Sequence, residues 1–108
     1  MSLKRVKEGS SKRTTLPLSS DFTNTFRKDW VRLTHSGRYN MNRLKEVMLL
    51  LVANDGPLPP EYLDHELSGK TWGNHRECHV GGDFLLIYRS SKTEVVFVRA
   101  GTHAELFE

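Results

Sequence analysis

The segment HRECHVGGDFLLIY, residues 75–88, sets two histidines, a glutamate and an aspartate beside a run that reads as a buried strand. Titratable groups so close to a sheet core cost free energy unless they are paired, solvated or used. On a strand the side chains alternate faces, so His75, Glu77 and His79 point one way while Arg76, Cys78 and Val80 point the other. Gly81 and Gly82 are expected to form a tight turn, with Asp83 opening the next strand close to His79. One imidazole and one carboxylate would then meet at the closed end of a hairpin. That pairing suits proton transfer, because a carboxylate orients a ring and histidine titrates near neutrality.

Metal binding is the competing chemistry. Histidines four apart share a metal across one helical turn, a rise of about 5.4 Å. Along a strand the same four residues span roughly 13 Å, too far for one ion. With one cysteine, Cys78, and no Cys-x-x-Cys pair, neither a metal nor a cofactor is expected. His35 reads as a solvated residue between two helices, and His75 as an exposed sheet residue. His65 in YLDHELSG and His103 in RAGTHAELF sit beside strand ends, where side chains can converge on a cleft. Spacing alone does not bring His65, His79 and His103 together.

The elements that must position these groups follow from periodicity. TTLPLSS, residues 14–20, reads as a short edge strand with Pro17 inside it. Ser20 and Asp21 are suitable N-caps, and Phe22, Phe26, Trp30 and Leu33 then form one helical stripe. THSGRYN breaks that helix, and a second begins near Met41 with Leu44, Val47, Met48 and Leu51 on one face. NDGPLPP stops it. Beyond residue 60 the period changes: DFLLIYRS and EVVFVRA read as strands around a turn at SSKT, and GTHAELFE as a short helical turn or tail. The fold class expected is α+β, a small antiparallel sheet with an N-terminal αα-hairpin packed on one side.

A chain of 108 residues supports one domain, here residues 14–108, preceded by a basic tail at residues 1–13. That tail holds five lysines and arginines against one glutamate, a net of +4. Residues 14–108 hold eleven against twelve, a net of −1, so the pI near 9.2 belongs to the tail. A polybasic arm adds sequence-blind attraction to phosphates, or is a solvated extension. The most apolar run, Val47 to Ala53, is too short to span a membrane, and no signal-peptide core is visible, so a cytoplasmic protein with no membrane partner is expected.

The series DHELSGKTWGNHRECHVGGDFLLIYR followed by FVRAGTHAELF resembles the YafQ-type branch of the RelE/ParE toxin superfamily, and MNRLKEVMLLL matches its helical hairpin. The resemblance covers residues 64–107 in order and in local spacing. It implies a RelE-like fold and a bacterial type II toxin that cleaves messenger RNA in the A site of the 70S ribosome and is restrained by a cognate antitoxin. By the same resemblance the catalytic positions fall on His65, His79, Asp83 and His103, with Phe107 stacking on a base. His103 would be the general acid and His65 or His79 the base, with Asp83 orienting or sharing that role. Cleavage would need no metal. Arg99, just before AGTH, is the candidate contact to the scissile phosphate, and Arg89 a second one. Glu77 stands where relatives carry an acidic residue, and Phe84 where tryptophan is frequent. The alternative reading is a ParE-like toxin that inhibits DNA gyrase by binding; the histidines and Asp83 argue for proton transfer instead.

Overall fold

A computed structural model describes residues 15–108. The basic tail, residues 1–13, lies outside that range. The elements are β1 (Ser19–Phe22), α1 (Asn24–Ser36), α2 (Met41–Ala53), a 3-10 turn (Pro60–Tyr62), β2 (His65–Glu66), β3 (Arg76–Gly81), β4 (Phe84–Ser90), β5 (Glu94–Gly101) and α3 (His103–Phe107). The α+β class and the αα-hairpin are as the sequence predicts. The five strands form one sheet in the order β1-β5-β4-β3-β2.

Three pairings are antiparallel, but β1 runs parallel to β5, with Ser19 opposite Glu94 and Phe22 opposite Phe97. The sheet is therefore mixed. A parallel neighbour needs a long crossover, and here the intervening elements supply it. Strand β1 begins after Pro17, which lacks an N–H to give, and the first amide to reach β5's turn is Ser19, donating to the Thr93 carbonyl. The start of α1 shifts accordingly. Ser20 and Asp21 stay in the strand, and Thr23 is the N-cap: its hydroxyl accepts from the Phe26 amide at 2.9 Å and donates to the Val98 carbonyl at 2.8 Å. His35 lies in the last turn of α1, which ends at Gly37 with φ of 69°. Asn40 caps α2 at its start, and Asn54, with φ of 53°, ends it two residues before Gly56.

One face of the sheet packs on the hairpin. Leu33, Leu44 and Val47 from the helices meet Val80, Leu86 and Val95 from the strands, all fully buried. Each such side chain is worth about 1.5–3 kcal/mol by burial. Alternation along β4 sends Leu85 and Ile87 to the opposite face, where a smaller cluster seats Leu106 of α3 and the partly buried Trp72 and Phe107. That second face carries the histidines. Among the described residues, no helix is long and apolar enough to cross a membrane.

Candidate active site

Strand β2 is only two residues long, yet its register does the essential work: His65 lies opposite Glu77, with His79 two residues further along the same face of β3. Glu77 is buried, and its Oε1 lies 3.3 Å from His65 Nε2 and 3.8 Å from His79 Nε2. The two rings are 6.4 Å apart. Each Nδ1 faces a backbone carbonyl, Leu63 at 2.8 Å for His65 and Gly82 at 3.3 Å for His79. A carbonyl only accepts, so these contacts assign the proton to Nδ1 in the neutral rings and leave Nε2 able to take one up. The Glu77 carboxylate stands where the resulting imidazolium would need it.

Asp83 does something other than expected. Strand β3 continues through Gly81, and the hairpin loop is Gly82–Asp83, with Gly82 at φ of 57°. A two-residue loop needs a positive φ, and the second glycine supplies it. This one-residue shift removes Asp83 from His79. Its Oδ1 instead accepts from the His103 backbone amide at 3.1 Å, at the first turn of α3. The carboxylate between histidines is Glu77.

Helix α3 is one turn and a half, too short to persist unaided. A reciprocal cap holds it: Thr102 Oγ1 accepts from the Glu105 amide at 3.2 Å, and Glu105 Oε1 accepts from the Thr102 amide at 2.8 Å. Gly101 makes room for this, since a Cβ there would lie 2.6 Å from Glu105 Oε1. The helix presents an exposed His103 ring 5.0 Å from Phe107, and Phe107 in turn packs edge-on to Trp72 at 5.9 Å. Trp72 also meets His75 edge-on at 5.4 Å, so His75 is half-buried rather than exposed. His103 follows Gly101, and Gly101 and His79 flank Leu85 of β4 on either side. Two strand spacings, roughly 10 Å, separate them. The structure thus gathers His65, His79 and His103 on one open face. A cleft lies between the α1–α2 turn and the β3–β4 turn, on the hairpin side of the sheet; Arg38, Tyr39, Arg43, Val80, Asp83 and Thr102 are among its lining, and none of the three histidines is.

Of the two arginines expected at the phosphate, one is tied to α1 and the other lies further along the histidine face. Arg99 turns to α1 and grips Asp29 with both arms of its fork, Nε to Oδ2 at 2.9 Å and Nη2 to Oδ1 at 3.1 Å. Burial alone would push the Asp29 carboxyl up. Hydrogen bonds from Arg99, the Ala100 amide and Arg32 outweigh it and hold the group below its ordinary value of 3.8. Arg89 is exposed on the histidine face, four residues beyond Leu85 and so roughly 13 Å from it along β4. Glu77 and Trp72 also stand on the histidine face without a role assigned from spacing; the alternation His75, Glu77, His79 is the signal that places the first. Among the described residues no group of three or more histidine, cysteine or acidic side chains is arranged to hold a metal ion.

Comparison with known proteins gives this arrangement a family. Residues 18–108 match the family model described as the bacterial toxin of a type II toxin-antitoxin system, YafQ. The chain belongs to that family. The mRNA interferase toxin YafQ of Escherichia coli strain K12 is 41% identical over 87 residues, 81% of this chain and 92% of that protein. In the crystal structure of the E. coli DinJ-YafQ toxin-antitoxin complex, a matching chain superposes with a TM-score of 0.76 at 39% identity, covering 86% of this chain and 100% of that one. A metal-bound toxin from Helicobacter pylori superposes with a TM-score of 0.72 at 35% identity, over 83% and 99% of the two chains. The YafQ match spans the hairpin, the sheet and α3 together, so every element that positions the histidine face lies within it.

Proposed function

We propose that this member of the YafQ family is an mRNA interferase: an endoribonuclease that cleaves messenger RNA in the A site of the 70S ribosome and is restrained by a cognate antitoxin protein. The observation that carries the reading is the cluster of His65, Glu77 and His79 on one sheet face, with His103 and Phe107 alongside. Cleavage by the ribose 2′-hydroxyl needs a base for that hydroxyl, an acid for the departing 5′-oxygen and positive charge near the phosphorane. Nε2 of His65 or His79 is the base, and Glu77 stabilises the imidazolium that forms. His103 protonates the leaving oxygen, giving a 2′,3′-cyclic phosphate and a free 5′-hydroxyl. Asp83 acts on the reaction through the His103 backbone rather than through a proton of its own. Phe107, braced by Trp72, offers a stacking platform for a splayed base.

This chemistry requires no metal ion, although the H. pylori neighbour is described as metal-bound, so chelation is one arm of the test. Purified protein is mixed with programmed ribosomes in EDTA, and mRNA ends are read by primer extension. We expect A-site cleavage that survives chelation and is lost in His103→Ala. Abolition by EDTA overturns the metal-free mechanism, and full activity in His103→Ala overturns the assignment of the acid. Gyrase inhibition without an RNA product would instead make the chain a binding toxin, a reading that leaves three gathered imidazoles without a use.

A further inference from the structure

We propose that Arg32, on the helical hairpin and outside the histidine face, is a positioning residue that locks α3 in its cleavage-competent pose; this rests on the reading of His103 as the acid. Arg32 lies one turn after Asp29 on α1, and its guanidinium spans three groups. Nη2 donates to Asp29 Oδ1 at 3.0 Å and to the Ala100 carbonyl at 3.4 Å, while Nη1 donates to Glu105 Oε2 at 2.7 Å. Asp29 is itself buried and fixed by Arg99 and by the Ala100 amide at 3.1 Å. The anchor end of Arg32 is therefore rigid.

The other end meets the cap of α3. Glu105 divides its two oxygens, Oε1 closing the reciprocal cap with Thr102 and Oε2 taking Arg32. With one oxygen on Thr102 and the other on Arg32, the carboxylate ties the first turn of α3 to α1 and the end of β5. His103 opens that turn, and Phe107 closes the helix. With Asp83 gripping the His103 amide from the opposite hairpin, the segment is held from two sides. General acid catalysis demands such control, because a small displacement of the donor forfeits much of its advantage.

The test uses the full chain in single-turnover cleavage on programmed ribosomes, with amide hydrogen exchange read on the same proteins. Arg32→Ala is expected to lower the rate constant at saturating ribosome by about tenfold with half-saturation unchanged. Arg32→Lys, which still reaches Glu105, is expected to recover most of that loss. Glu105→Gln keeps an acceptor for Thr102 but loses the charge; it is expected to match Arg32→Ala, with the double variant no worse than either single. The Leu106 and Glu108 amides should exchange faster in Arg32→Ala while β4 and β5 do not change. A raised half-saturation with an unchanged rate constant overturns the proposal, since Arg32 would then be a ribosome or RNA contact. Unchanged exchange in α3 overturns it too. If the wild-type protein does not cleave RNA, the nuclease reading fails, and the exchange result alone decides whether Arg32 fixes α3. Should Arg32→Ala not fold, Glu105→Gln, on an exposed side chain, carries the same comparison.

Discussion

A buried carboxylate between two imidazoles is the least replaceable feature at the scale of single residues. Glu77 is 6% exposed, and its carboxylate lies 3.3 and 3.8 Å from the two histidine nitrogens. Burying a charge for contacts of that length is a poor way to stabilise a fold. It is a good way to favour an imidazolium at the moment a 2′-hydroxyl gives up its proton. Glu77→Gln keeps the shape and removes the charge. We expect its cleavage rate constant to fall by roughly tenfold or more, with the melting temperature changed by no more than about 2 °C. A large drop in melting temperature with undiminished activity per folded molecule would make Glu77 a structural residue. The placement of this residue on the histidine face follows from strand alternation and is legible in the sequence. The partner of Asp83 is not, because a one-residue shift of the turn from Gly81–Gly82 to Gly82–Asp83 re-aims the side chain. Nor is the fate of Arg99, whose Asp29 lies 70 residues away and meets it only once α1 has packed on β5.

At the scale of elements, long periodic segments announce themselves and short ones do not. The bodies of the two helices, β4 and β5 follow from patterns of apolar spacing, and α3 is foreseen only as a short helical turn or tail; the caps at Thr23 and Thr102 are not. β1 and β2, with four and two residues, carry little pattern: β1 lies later than the edge strand expected at residues 14–20, β2 is not foreseen, and both exist because neighbours hold them. For β2 the holder is Asp64. Its Oδ2 takes the Arg76 fork at 2.9 and 3.1 Å, and its Oδ1 accepts from the Tyr88 hydroxyl. Burial, reinforced by the Asp64 hydrogen bond, pushes the Tyr88 hydroxyl's pKa up, so it remains a donor. Arg76's own hydrogen bonds to Asp64 raise its pKa in turn. His65 is the next residue, and its station opposite Glu77 depends on this clamp. Asp64→Ala should therefore lose cleavage nearly as fully as His65→Ala. The double variant should be no slower than His65→Ala, because both remove the imidazole from its station opposite Glu77. Additive losses, measured in the same single-turnover assay, would mean that Asp64 acts by another route.

For the molecule as a whole, the two clamps have a common logic: each ties an end of the histidine face to a part of the fold that cannot move. Asp64 secures β2 through β3 and β4, and Asp29 secures the β5–α3 junction through α1. The second clamp also links stability to acidity. Asp29 has a folded-state pKa held below its ordinary value, so its contribution is fully present above that value and is lost as pH falls through the folded one. At neutral pH, Asp29→Asn leaves Arg99 and Arg32 facing a neutral amide in a buried setting, and we expect it to cost about 3 kcal/mol. Below pH 3.8 the unfolded wild-type chain takes up a proton that the folded one resists, so wild-type stability falls towards that of the variant. Urea unfolding of both proteins from pH 7 down to the acid limit of folding should show the gap constant to about pH 5 and narrowing below it. A gap that stays the same at every pH would show that Asp29 works as a neutral hydrogen-bond acceptor. The charge-based account of how α1 holds the His103 helix would then fail with it.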